Sequence, residues 1–272
     1  MMKQRLDTLL VDLGLCPSRQ QAQRLIQAGE VMVNQQVIDK AGTEVDTTAA
    51  IKVKERPPFV SRGGEKLSKA LVFFGISIDK RICLDGGIST GGFTDCLLQA
   101  GATQVYGIDV GYGQVDWKIR NDPRVILKER TNLRELQPEQ LYPDGATFPD
   151  LAVVDVSFIS LTKVLPAIWR LTQAPRAAIL LVKPQFEVGK SRVGKKGVVR
   201  DPKDHADAIF QVLQTALELG WKYRGLTFSP ITGPAGNIEY LLWLDIESET
   251  LPPDLAAIQE ITKNAVQELV TK

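Results

Sequence analysis

Histidine is nearly missing from this chain of 272 residues: His205 is the only one. His-rich metal sites are excluded, and a Ser-His-Asp or Cys-His mechanism could run only through that residue. Cysteine is scarce too. Cys16, Cys83 and Cys96 are odd in number and far apart, so no disulfide framework is implied and a reducing cytoplasm fits best. No apolar run approaches the roughly 18 residues of a membrane-spanning helix. Lys3, Arg5, Asp7 and Asp12 break up the N-terminus, which therefore does not read as a signal peptide. Net charge is only +1, but residues 61–236 carry 23 basic and 18 acidic side chains while residues 237–272 carry 2 and 7. A basic middle with an acidic tail permits a polyanionic partner without requiring one. The remainder is ordinary for a soluble protein, 44% hydrophobic and 24% charged. The length suits one large domain plus one small, with a core that needs no staples.

The spacing divides the chain into a small unit over 1–56, a linker over 57–60 and a large unit over 61–272. Leu6, Leu9, Leu10 and Leu13 form one helical stripe ending at Gly14. Ser18 and Gln21 make a capping box for a second helix, whose buried face is Ala22, Leu25 and Ile26. Val31, Val33, Val37, Val45, Ile51 and Val53 mark short strands. Glu55, Arg56, Pro57 and Pro58 then read as a stiffened linker. The order R-L-D-x-L-L-V-x-x-G-L, S-R-x-x-A-x-x-L-I-x-x-G-x-V-x-V-N resembles the small RNA-binding domain first described in ribosomal protein S-four, with Ala41 where that family usually has proline. The resemblance implies that Arg5, Arg19, Arg24 and Lys40 meet phosphates or a structured RNA surface.

From Ser61 onward strand-like and helical runs alternate, which predicts an α/β fold, a doubly wound and mostly parallel sheet. Strands are expected at 82–84, 105–108, 125–127, 151–154, 177–182, 226–230 and 239–246. Helices are expected at 92–99, 160–171 and 203–219. The first strand runs into Asp85-Gly86-Gly87-Ile88-Ser89-Thr90-Gly91-Gly92-Phe93-Thr94, and the second ends at Asp109. Glycines allow close backbone approach to a ligand, and an acid closing the second strand is placed to hold a ribose hydroxyl. A dinucleotide site, an S-adenosylmethionine site and a plain packing turn all remain open at this loop, although the G-x-G-x-x-G spacing is not reproduced. A phosphate-loop reading of Gly189-Lys190-Ser191 is rejected: Pro184 and Lys196 occupy positions that need glycine and a hydroxyl. The basic stretch with Lys190, Arg192, Lys195 and Lys196 is either a solvated loop or a mobile grip on a phosphate backbone.

Four ionisable residues then stand out. Lys66 opens a helix in S-R-G-G-E-K-L, Asp155 and Lys183 end consecutive strands, and Glu239 begins a late one. Together with D-G-G-I-S-T-G-G-F-T, G-I-D-V-G-Y-G-Q, D-V-S-F-I-S-L, V-K-P-Q-F-E-V-G-K and G-P-A-G-N-I-E-Y, these motifs resemble the TlyA family over almost the whole chain. That family joins the S-four-type domain to an FtsJ-like methyltransferase; it was long labelled haemolysin and is understood as a 2′-O-methyltransferase of cytidines in ribosomal RNA. The resemblance implies a catalytic set of Lys66, Asp155, Lys183 and Glu239, with no metal. It also implies an S-adenosylmethionine site at Asp85, Gly87, Ser89, Thr90, Gly92, Phe93, Asp109 and Asn132. Ribosomal RNA or ribosomal subunits are the expected partners, met by Arg62 and the basic stretch as well as by the small unit. A monomeric, cytoplasmic enzyme without membrane contact is expected. Lys183 is assigned as the base that deprotonates the ribose hydroxyl, with electrostatic stabilisation as its other possible role, and Lys66 as the second cation. The rivals are a non-catalytic RNA-binding or ribosome-assembly factor and a membrane-lytic toxin, for which no lytic helix exists in the sequence.

Overall fold

A computed structural model of the chain describes residues 2–54 and 57–270, excluding the side chain of Val270. Two compact units result, Met1–Pro57 and Pro58–Lys272. Glu55 and Arg56, half of the tetrapeptide read as a linker, lie outside the described residues.

The small unit contains β1 (Lys3–Arg5), α1 (Leu6–Asp12), α2 (Arg19–Gln27), β2 (Val31–Val33), β3 (Gln36–Val37), β4 (Glu44–Asp46) and β5 (Ile51–Val53). Leu6, Leu9 and Leu10 of α1 pack against Ala22, Leu25 and Ile26 of α2 and the valines of β2. Leu13 of the expected stripe is instead exposed, because α1 stops one residue earlier. Ser18 caps α2 by accepting the Gln21 N–H.

The large unit contains α3 (Gly63–Phe74), β6 (Ile82–Gly86), α4 (Gly92–Gln99), β7 (Gln104–Ile108), α5 (Trp117–Arg120), β8 (Val125–Lys128), α6 (Pro138–Leu141) and β9 (Leu151–Val154). It continues with α7 (Leu165–Leu171), β10 (Ala177–Val182), α8 (Pro184–Glu187), α9 (Pro202–Glu218), β11 (Lys222–Phe228), β12 (Tyr240–Asp245) and α10 (Leu255–Val270). The seven strands lie in the order β11-β12-β10-β9-β6-β7-β8, parallel except for β12, which runs antiparallel to both of its neighbours. Apolar clusters cover both faces, as a doubly wound sheet requires. The chain winds one way from β6 to β8 and the other way from β9, so the switch point falls between β6 and β9. Ligands of such sheets bind there, beyond the carboxyl ends of the strands.

Two departures from the sequence reading have local causes. The helix expected over 160–171 opens as a 3-10 turn at Leu161–Lys163, since Pro166 has no N–H for the carbonyl of Thr162. Phe59 and Val60, expected in the linker, pack against the core of the large unit, and the Val60 N–H bonds to Asp95. His205 is buried, held between the Tyr240 hydroxyl and the Val199 carbonyl at 2.8 and 2.9 Å. It lies in the core and lines none of the cavities described below.

Candidate active site

Two cavities meet at the switch point. The larger, about 540 Å³, is walled by Ile108, Leu133, Val156 and Val164 and carries Asp109, Asn132 and Asp155. The smaller, about 200 Å³, is lined by Arg62, Lys66, Thr90, Gly92, Phe93 and Pro234 among others. Gly87, Ser89 and Asp155 line both. Gly87 separates them because nothing larger fits: its φ is +93°, and a Cβ there would stand 2.5 Å from the Asp155 carbonyl. Ser89 and Phe158, in the larger cavity, also hold left-handed backbone, at φ +50° and +64°. Strain of this kind persists where surrounding contacts fix it. For Ser89 the fixing contact is visible: its N–H donates to Asp109 at 2.8 Å.

Asp109 follows β7 directly and takes a second backbone N–H, from Gly111 at 2.7 Å, so one carboxylate ties the glycine loop to the loop after β7. Each carboxylate oxygen retains acceptor capacity toward the cavity. Asp85 behaves differently. It is fully buried and lines neither cavity. Its Oδ2 accepts the Thr94 hydroxyl at 2.6 Å, while Oδ1 has no hydrogen-bond partner among the described residues. Burial pushes its carboxyl up to about 7, the Thr94 bond opposing the rise and the Asp155 and Asp109 charges adding to it.

The four ionisable residues form two ion pairs. Lys66, on the first turn of α3, reaches Glu239 just before β12 at 2.5 Å. Lys183, at the end of β10, reaches Asp155 at the end of β9 at 2.6 Å, an ion pair without hydrogen-bond alignment, and donates to Ser157 at 2.9 Å. Lys66, Lys183 and Glu239 are buried, and Asp155 is partly open. Lys66 and Asp155 face each other's space in the smaller cavity, whereas Lys183 and Glu239 stand behind them and line neither cavity. Ser157 was not singled out from sequence; its only signal was its place in D-V-S-F-I-S-L.

The basic residues fall into different settings. Arg62 lines the smaller cavity. Lys190, Lys195 and Lys196 are exposed, but Arg192 is engaged by Asp204 and Asp207 of α9 at 3.1 and 2.6 Å. That makes it a brace for the loop rather than an unpaired cation. In the small unit Arg5 and Arg19 both donate to buried Asp7, with Gln23 as a third donor. The Arg5 bond, with these others, holds the Asp7 carboxyl far below the usual carboxylate range despite burial. Arg24 and Lys40 are exposed, and Arg24 lines a recess of about 620 Å³ with Ser18 and Lys54.

Sheet and cavities together place the large unit among doubly wound α/β enzymes that work at the switch point. Residues 59–246 match the FtsJ-like methyltransferase family and residues 4–51 match the S4 domain. The chain belongs to the FtsJ-like methyltransferases, in the TlyA family, which carries an S4 domain ahead of the enzyme. It is 49% identical to the 16S/23S rRNA (cytidine-2′-O)-methyltransferase TlyA of Mycobacterium tuberculosis, covering 90% of this chain and 91% of that one. It is 42% identical to hemolysin A of Brachyspira hyodysenteriae, over 87% and 98% of the two chains. A solved structure from Streptococcus thermophilus that carries a provisional hemolysin label is 40% identical, with a TM-score of 0.73 over 98% of this chain and 97% of that one. Among the described residues no helix is long and apolar enough to cross a membrane.

Proposed function

We propose that the chain transfers a methyl group from S-adenosylmethionine to the ribose 2′-oxygen of cytidine in ribosomal RNA. The observation that carries this reading is the pair of lysine–carboxylate contacts at the junction of two cavities that share Gly87, Ser89 and Asp155. The larger cavity is within the usual range for small-molecule sites, roughly 300–1,000 Å³. Its apolar walls suit a purine, Asp109 suits ribose hydroxyls, and Asn132 offers an amide. These residues fit S-adenosylmethionine. When bound, that cofactor supplies a methyl group already activated on a sulfonium, so the chain has only to position and deprotonate the acceptor. Ser89, Thr90, Gly92 and Phe93 would bound its amino-acid end, and Asp85 would act from behind by fixing Thr94 at the start of α4.

The smaller cavity, where Thr90, Gly92 and Phe93 would bound the cofactor's amino-acid end, would also admit the acceptor's ribose hydroxyl beside Lys66 and Asp155. Asp155 faces both cavities and orients the 2′-hydroxyl; Lys66, held by Glu239, places a positive charge where alkoxide character develops. Lys183, fixed by Asp155 and Ser157, would receive the proton in its neutral amine form, since an ammonium has no lone pair to accept one. One observation favours a second assignment: Lys183 lines neither cavity, whereas Asp155 lines both. In that reading Asp155 takes the proton and Lys183 stays an ammonium that stabilises charge. Lys183→Arg separates the two, since arginine keeps the charge but cannot act as a base. Near-normal turnover in Lys183→Arg would exclude Lys183 as the base.

The rRNA assignment draws on the S4 match and on the substrate of the mycobacterial relative. Arg5, Arg19, Arg24, Lys40, Arg62, Lys190, Lys195 and Lys196 would contact phosphates, which position the RNA without reading its sequence. The test is incubation with ribosomal subunits or free rRNA and labelled cofactor, followed by mapping of the label. Methyl groups on cytidine ribose support the proposal. Label on a base, or none on any rRNA, overturns it.

A further inference from the structure

One more carboxylate stands at the catalytic end of the sheet without a role in the account above. Glu187, the last residue of α8, is buried. Among the described residues no cation pairs with it; its donors are the Ser160 hydroxyl, which donates to Oε2 at 2.5 Å, and the Leu161 N–H, which donates to Oε1 at 2.9 Å. Since the Ser160 proton goes to Glu187, the 2.7 Å contact between the Ser160 and Thr162 hydroxyls must be donated by Thr162. Burying an unpaired carboxylate is costly, and burial raises its proton affinity while the two hydrogen bonds lower it.

What the carboxylate does supply is a cross-link. The segment 155–161 leaves β9 and the segment 183–187 leaves β10. They are joined by Lys183 to Asp155, by Lys183 to Ser157, by the rings of Phe158 and Phe186 at 5.2 Å, and last by Glu187 to Ser160 and Leu161. The first segment is a wall of the larger cavity and includes Phe158 in its left-handed conformation. Without the last rung, the turn at Phe158 keeps the ring contact, the Lys183 bonds and the packing of Val156 and Ile159 against the core, but loses the polar tie that follows it.

We infer that Glu187 is a positioning residue for methyl transfer: by accepting from Ser160 and Leu161 it fixes the 155–161 wall, and through it the Asp155–Lys183 pair. This rests on the methyl-transfer reading. The test compares wild type, Glu187→Ala, Glu187→Gln and Ser160→Ala by cofactor calorimetry, melting, and single-turnover transfer to rRNA at saturating cofactor. Glu187→Ala should weaken cofactor binding and slow single turnover by about 10- to 100-fold, the usual cost of a small misplacement of reacting groups. Glu187→Gln should restore most of both, because its amide oxygen accepts from Leu161 and its NH₂ donates to Ser160. Ser160→Ala keeps the Leu161 bond and should fall between them. The inference is overturned if Glu187→Ala melts lower but keeps wild-type rate and affinity, or if Glu187→Gln is no better than Glu187→Ala. If Glu187→Ala does not fold, Ser160→Ala must lose rate while Glu187→Gln keeps it. A wild type that neither binds the cofactor nor transfers methyl would instead overturn the methyl-transfer reading itself.

Discussion

Asp109 and Asp85 show how two carboxylates at neighbouring strand ends acquire different tasks from their surroundings. Asp109 accepts two backbone N–H groups and faces the larger cavity. Asp109→Ala unties two loops and, on the proposed reading, removes a ribose partner. The account expects calorimetry to show a loss of about 2–3 kcal/mol in cofactor binding, the scale of hydrogen bonds to a charged group. Asp85 is buried with one oxygen orphaned, and its carboxyl is raised to about 7. A carboxyl raised on folding binds its proton more tightly in the native state, so its contribution to stability is greatest at acid pH. That contribution is lost as pH rises toward the folded value. Between pH 5 and pH 8 this amounts to about 2–3 kcal/mol. Asp85→Asn removes the dependence, so its stability relative to wild type should rise by about that amount when melts at pH 5 and pH 8 are compared. A constant difference would mean that Asp85 is ionised throughout. The motif D-G-G-I-S-T-G-G marked both the loop and Asp85, but burial of Asp85 behind the cavity was not legible, because a motif specifies neighbours in sequence and not which of them faces the ligand.

Among elements, those whose pattern is set by burial were legible. β10 is buried at all six positions and reads as an unbroken apolar run; α4 runs from a glycine turn to Gln99 as its spacing indicates. Direction is another matter. β12 is antiparallel between β10 and β11, and a period of two carries no sign for strand direction. α10 was not anticipated after Pro252 and Pro253, although its packing against α9 buries Ile258 and Ala265. The basic loop of residues 189–200 was legible as charge but not as structure. Val199 donates to Asn237 and accepts from His205, and Asn237 also donates to Gly197. These bonds tie the foot of the loop to the segment that delivers Glu239, leaving Lys195 and Lys196 exposed. Lys195→Ala/Lys196→Ala should therefore weaken rRNA binding and reduce the salt slope by about 1.5 for two lost phosphate contacts. Cofactor affinity should stay unchanged. A double variant with the wild-type salt slope would show that these lysines are solvated only.

At the scale of the whole molecule, the two units have separate cores, and the methyltransferase match begins at residue 59. A fragment beginning at Pro58 retains Phe59 and Val60, which pack in the large unit, along with both cavities and both ion pairs. It should fold and bind S-adenosylmethionine like the full chain but bind rRNA more weakly. Equal methylation of rRNA by fragment and full chain would remove the recognition role from the small unit. Within that unit Asp7 is the vulnerable point, since Arg5, Arg19 and Gln23 all converge on it. Its lowered carboxyl contributes stability that is complete above about pH 4 and is lost as pH falls further. Asp7→Ala should accordingly melt the small unit early and weaken rRNA binding, with cofactor binding unaffected.

The most direct test of the central claim, that the two lysine–carboxylate pairs carry out ribose methylation, is single-turnover transfer to rRNA at saturating cofactor by wild type and Lys183→Ala. The modified linkage is assayed for resistance to alkali, which a 2′-O-methyl group confers. The account predicts an alkali-resistant product from wild type. It predicts a rate lower by a factor on the order of 100–10,000 in Lys183→Ala, the usual range for a positioned acid–base group, with cofactor affinity preserved. An alkali-labile methylated product, or a near-normal rate in a folded Lys183→Ala protein, would contradict it.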